Sequence, residues 1–165
     1  MKTNLIALLA SFIICGCDQY NNITKTKSAI SEDWRTEQVV YQGNTAFIRY
    51  NHGLITLPKK DHPQLIRITI SFKTNNPNGF PTDSESSQLW QIEDLFVDSL
   101  TQKNHAVFAG TITMQNRRHL LFYSPLSDSL KWNVTLLVQS IKNQKIEFSI
   151  YQDPEWNAYK GFYER

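Results

Sequence analysis

Residues 64–73 read Gln64-Leu65-Ile66-Arg67-Ile68-Thr69-Ile70-Ser71-Phe72-Lys73. Ile66, Ile68, Ile70 and Phe72 alternate with Arg67, Thr69 and Ser71. Successive side chains of a strand point to opposite faces of a sheet. The period of two therefore predicts a strand whose apolar set faces the core. Downstream, the turn-rich residues 75–81 lead to Thr82 and Glu85, spaced as a capping box that satisfies the free N–H groups of a helix start. A helix is predicted over 83–103, with Leu89, Ile92, Phe96 and Leu100 on one stripe. Glu93, Asp94 and Asp98 fall off that stripe and read as its solvated face. Strands follow at 105–114 and 118–123, joined by Gln115-Asn116-Arg117. Ser127 is placed to cap a helix over 128–141, with Leu130, Val134, Leu137 and Ile141 inward. Residues 145–151 form a last strand, with Ile146, Phe148 and Ile150 inward.

The order from residue 64 is β-α-β-β-α-β, that of the ferredoxin-like split βαβ fold. Right-handed crossovers place both helices on one face of an antiparallel sheet, giving an α+β domain. Upstream, β-prone runs at 34–41 and 45–51 flank Gln42-Gly43-Asn44, a hairpin signal. This N-terminal β-hairpin either extends the sheet or covers its open face. In that register the open face carries Arg67, Thr69, Thr111, Thr113, His119, Tyr123, Glu147 and Tyr151. Beyond the last strand, Asp153-Pro154-Glu155 reads as a cap with proline at the first helical position, opening a short turn through Tyr159.

The N-terminus is of another kind. Lys2 precedes a short apolar run over residues 5–14, too short to span a bilayer, where ~20 apolar residues are needed. This is the layout of a secretory signal. It closes on Ile14-Cys15-Gly16-Cys17, which resembles the lipobox of bacterial lipoproteins. The expected organisation is a signal peptide over 1–16, a polar tether over 17–33 starting from lipidated Cys17, and a single domain over 34–165. The alternative is an ordinary secreted protein in which Cys17 falls by chance. Asp18 resembles a signal for retention in the inner membrane. The expected location is the cell envelope, lipid-anchored, with the domain outside the cytoplasm.

Composition narrows the partners. The formal charge is +2, one less once Lys2 is removed, too small to hold nucleic acid by counterion release. Cys15 and Cys17 are the only cysteines. With one removed and the other lipidated, the domain has no thiolate nucleophile, disulfide or cysteine metal site. His52, His62, His105 and His119 lack metal-ligand spacing. No glycine-rich phosphate loop and no Gly-x-Ser-x-Gly elbow occurs, so no metal or cofactor is expected.

Several pieces together are similar to a bacterial family. They are Trp34 opening a strand, Gln91-Ile92-Glu93-Asp94 on a helix, Ala109-Gly110-Thr111-Ile112-Thr113, and Arg118 with Phe122-Tyr123. Asp153-Pro154-Glu155-Trp156 with Tyr159 and Phe162-Tyr163 completes the set. The chain resembles the domain of unknown function 695 family over the whole domain, departing from its pattern where Glu164 replaces a proline. The family has no established activity, so the resemblance implies a fold and no catalytic residues.

One constellation combines charge with large aromatics near strand ends: Arg118, Tyr123, Asp153, Glu155, Trp156 and Tyr159. Trp156 can plug a core edge while Asp153 caps the last turn. The same residues can also form a binding site, since Trp, Tyr and Arg are the usual anchors of interfaces. Two functions follow. One is a non-enzymatic envelope lipoprotein that binds a protein partner. The other is a small hydrolase or ligand-binding enzyme using carboxylates near Glu155, which asks for a concave pocket.

Overall fold

The structure, a computed structural model, describes residues 32–41 and 43–164. The signal peptide, Cys17, Asp18 and nearly all of the tether lie outside the described residues. The domain is α+β, with a six-stranded antiparallel sheet and three helices among the described residues. The strands are β1 (Trp34–Tyr41), β2 (Asn44–Asn51), β3 (Gln64–Ser71), β4 (Val107–Met114), β5 (Arg117–Ser124) and β6 (Lys145–Gln152). The helices are α1 (Asp83–Asn104), α2 (Leu130–Ser140) and the short α3 (Asn157–Lys160). The strand order is β1-β2-β4-β5-β3-β6. The hairpin therefore extends the sheet at the β4 edge, through pairs such as Ile48 with Ile112.

The strand at residue 64 lies inside the sheet, between β5 and β6. Ile66, Ile68 and Ile70 are fully buried and share one cluster with Leu89, Phe96 and Leu100 of α1 and Leu130 and Val134 of α2. Both helices thus pack on the face that these isoleucines define. Thr82 and Glu85 form the expected capping box: Thr82 Oγ1 accepts from Glu85 N at 3.4 Å, and Glu85 Oε2 accepts from Thr82 N at 2.7 Å. Ser127 does not cap α2. The N-cap is Ser129, it makes no side-chain cap bond, and its hydroxyl lies 3.0 Å from that of Ser127.

Two local features depart from the sequence register. The β4–β5 pairing shifts between Phe108 and Gly110, so Ala109 is an extra residue, a bulge that flips the strand beyond it. Thr111 and Thr113 consequently pair with Leu120 and Arg118 and lie on the helix face, not the open one. Gly110 is where β2 comes closest. A Cβ there would stand 2.3 Å from the Arg49 carbonyl oxygen and 2.9 Å from Tyr50 Cα, which only glycine avoids.

The second feature is that much of the opposite face is covered. Tyr50, Leu65, Leu121 and Tyr123 are buried there together with Trp156, Tyr159, Phe162 and Leu54. The chain after β6 folds back over it as a second aromatic layer. Arg67, Thr69, His119, Glu147 and Tyr151 remain as its open part; Arg67 Nη2 donates to Tyr151 Oη at 3.2 Å. Helix α3 begins later than expected. Pro154 and Glu155 form a turn, and the N-cap is Trp156, at φ 57°.

Candidate functional site

The structure divides the sequence-derived constellation between the two faces. Tyr123, Asp153, Trp156 and Tyr159 come together on one. Tyr123 Oη donates to Asp153 Oδ2 at 2.6 Å, and Asp153 also accepts from Asn157 N at 2.8 Å and Ala158 N at 3.0 Å. Asp153 thus caps α3 from three residues before its N-cap. The Trp156 ring stacks on Tyr123, with centroids 4.1 Å apart and planes at 11°, and meets Tyr159 edge-on at 5.7 Å. Trp156 Nε1 donates to the His62 carbonyl at 2.8 Å, and Tyr159 Oη to the Asn51 carbonyl at 2.6 Å. Trp156 and Tyr159 are wholly buried. Burial, and then the Asp153 carboxylate, push the Tyr123 phenol well up. Burial pushes the Asp153 carboxyl up, but the bonds from Tyr123, Ala158 and Asn157 outweigh it and hold it below its ordinary value. These groups hold the segment in place, and Glu155 stands exposed beside them.

Arg118 lies on the other face, with residues that sequence reasoning did not join to it. Glu93, expected on the solvated face of α1, has only 3% of its side chain exposed. It sits one turn from both Leu89 and Phe96, on the buried stripe. The reason is a pair of arginines from distant strands. Arg49 Nη2 of β2 donates to Glu93 Oε1, and Arg118 Nη1 of β5 lies 3.6 Å from Glu93 Oε2. Arg118 Nε also donates to Thr113 Oγ1 at 3.2 Å, a contact that the β4 bulge makes possible by turning Thr113 inward. Burial pushes the Glu93 carboxyl above its ordinary value, only partly offset by Arg49 and Arg118. Burial likewise lowers the Arg118 guanidinium, opposed by Glu93.

Tryptophans frame this charged core. The Arg49 guanidinium lies 4.7 Å from the Trp34 ring centroid and 4.5 Å from that of Trp90. Arg118 lies 5.0 Å from the Trp90 ring. Trp34 is 37% exposed and Trp90 41% exposed, while the Arg49 side chain is 25% exposed. The outcome is a surface patch of two tryptophans around one partly exposed guanidinium, pinned from beneath by a buried carboxylate. Cation–π contacts of this kind contribute roughly 0.5–2 kcal/mol each. Trp34 and Trp90 carried a faint signal in the sequence, being large aromatics at polar-facing positions. Arg49 carried none.

Among the described residues, no group of three or more His, Cys, Asp and Glu side chains is arranged to hold a metal ion. No described helix is long and apolar enough to cross a membrane. Neither the curated proteins nor the solved structures contain a match to the chain. A family profile does match, across residues 32–163 and so across both the buried aromatic layer and the Trp34–Arg49–Trp90 patch. The chain belongs to that family, the family of unknown function DUF695.

Proposed function

We propose that the protein is a bacterial lipoprotein anchored in the cell envelope through acylated Cys17, and that its domain is a non-enzymatic binding module. It grips a protein partner through the Trp34–Arg49–Trp90 patch. The observation that carries this is the pinned, half-exposed guanidinium between two tryptophans. Trp and Arg dominate the energetics of interfaces. An arginine already held by Glu93 loses little side-chain freedom on binding. Two guanidinium groups stand against one carboxylate, so the patch favours a partner that presents a carboxylate.

The anchor rests on Ile14-Cys15-Gly16-Cys17 closing the apolar run, and Asp18 favours the inner membrane. Nucleic acid remains an unsuitable partner for a charge of +2. The fold proposed is ferredoxin-like. The order β6-β3-β5-β4, with α1 between β3 and β4 and α2 between β5 and β6, supports it. The hydrolase alternative draws no support from its own residues. Both oxygens of Asp153 are taken up by Tyr123 and by the start of α3, and Glu155 is exposed.

Crosslinking in intact cells, followed by affinity capture, tests both halves. The wild-type protein should capture a partner that the Trp34→Ala/Trp90→Ala double variant loses at unchanged solubility. Cys17→Ser should move from membrane to soluble fractions, because stable attachment depends on the acyl chains. Equal capture by the double variant would remove the patch from the account. A Cys17→Ser protein still on the membrane would remove the anchor.

A further inference from the structure

Towards the turn end of the β1–β2 hairpin, Phe47 stands 41% exposed on the helix face of the sheet. A cleft of about 370 Å³ opens there, lined by Gln38, Asn44, Asn78 and Gln115 around Phe47 and Phe80. That volume lies at the lower end of small-molecule sites, ~300–1,000 Å³. We propose that this cleft binds a neutral saccharide.

The lining is four amides, the Thr45 hydroxyl side chain and two aromatic rings, with no Asp, Glu, Lys or Arg. Gln38 and Asn78, both exposed, offer donors and an acceptor side by side, the match for a hydroxyl-bearing ring whose neighbouring hydroxyls do the same. Without a charge in the lining, nothing favours phosphate or carboxylate ligands. The rings supply the other half of sugar recognition, a flat π-face for the apolar C–H side of a pyranose. Phe47 is 41% exposed and meets Phe80 edge-on, with centroids 4.7 Å apart.

Turn chemistry alone does not account for these residues. Gln115 and Asn116 form the β4–β5 turn with φ values of 48° and 60°. Gly and Asn are the low-cost residues for such a turn, so Gln115 breaks the local rule. Its side chain instead crosses to the hairpin, where Nε2 donates to Asn44 Oδ1 at 2.9 Å. The third wall is held equally firmly. Asn116 N donates to the Gly79 carbonyl at 2.9 Å, and a Cβ on Gly79 would stand 3.2 Å from Gln115 Cα. Three separate segments are thus locked around one cleft before any ligand arrives, which lowers the cost of binding. The cleft runs from the turn end of the hairpin to Phe47, two residues short of Arg49; none of its lining residues belongs to the Trp34–Arg49–Trp90 patch, and it does not depend on that patch binding a partner.

The test is NMR of the full-length protein in a zwitterionic detergent, since sugar-headed detergents would compete. Side-chain amide signals are followed while chitotetraose or cellotetraose is added to millimolar concentration. At least one tetrasaccharide should shift the amides of Gln38, Asn78 and Gln115. Asn78→Ala and Gln38→Ala alter exposed side chains and should weaken binding about tenfold each, ~1.4 kcal/mol, at unchanged melting temperature. They keep the test clean should Gln115→Ala disturb its turn. Trp90→Ala should bind as wild type. The proposal is overturned by an absence of shifts with both sugars, by binding that both amide variants retain, by loss on Trp90→Ala alone, or by shifts that only a neutral peptide produces.

Discussion

Trp156→Ala should unfold the domain more readily than any surface change. The ring is wholly buried, stacked on Tyr123 at 4.1 Å, and bonded through Nε1 to the His62 carbonyl. Truncating a buried large aromatic costs ~3–5 kcal/mol through lost transfer energy and the cavity left behind. The stack adds ~0.5–1.5 kcal/mol beyond area, and leaving the His62 carbonyl without its donor adds ~1 kcal/mol or more. The backbone does not offset this, because alanine at φ 57° is as strained as tryptophan. Because the truncation range already contains losses of this kind, they set the cost at its upper end, ~4–5 kcal/mol, and are not summed on top of it. For a domain of this size that lowers the melting temperature by about 10–20 °C. Trp156→Phe keeps a ring on Tyr123, loses the hydrogen bond, and should cost ~1–2 kcal/mol. Glu155→Ala, one residue away and exposed, should stay within ~0.5 kcal/mol of wild type. Thermal and urea melts followed by circular dichroism decide. A Trp156→Ala melt that overlays wild type, or a Glu155→Ala melt that falls as far, would refute the assignment of Trp156 to structure.

Three further outcomes follow from the described contacts. Glu93→Ala leaves Arg49 and Arg118 facing each other without their carboxylate, and should lower the urea-unfolding free energy by ~3–5 kcal/mol, with Glu93→Gln milder. His119 is held down to about 4 by burial and then by Arg67 and Arg117. Its unfolded form takes up a proton near pH 6.5 and its folded form only near 4. Its contribution is therefore complete above pH 6.5 and lost as pH falls towards 4, worth ~1–3 kcal/mol after allowing for solvent screening. His119→Gln should flatten the stability profile in that window and nowhere else. Gly110→Ala drives a methyl into the Arg49 carbonyl and should cost ~3 kcal/mol or more, with amide exchange accelerated first in β1 and β2.

The sequence is most legible where structure is local. The alternation at Ile66, Ile68 and Ile70 and the Thr82–Glu85 capping box depend on neighbours within a few residues, and both form; Asp153 also accepts from the start of the last helix, although that helix begins at Asn157 and not at Pro154. The order of elements carries the helix face for the same reason. What is not legible depends on distant partners. Glu93 reads as solvent-facing until Arg49, 44 residues earlier, and Arg118 arrive from other strands. The bulge at Ala109 leaves no periodicity signal beyond one glycine, yet it moves Thr111 and Thr113 to the other face. The second aromatic layer was half visible. Trp156 reads as the plug of a core edge, and it is wholly buried, but the surface it covers is Tyr123, while Tyr151 of the last strand stays 41% exposed. Arg118 was grouped with Asp153 because both lie near strand ends, and a β-strand's two faces separate them.

The central claim, that the Trp34–Arg49–Trp90 patch is the contact surface, is tested most directly by placing a photo-crosslinking phenylalanine analogue at position 90 in intact cells. Position 126 serves as control, since Leu126 is 66% exposed and belongs to no charged cluster. The account predicts a discrete protein adduct from position 90, none from position 126, and loss of the position-90 adduct on Arg49→Glu. No adduct from position 90, or the same adduct from both positions and unaffected by Arg49→Glu, would contradict it.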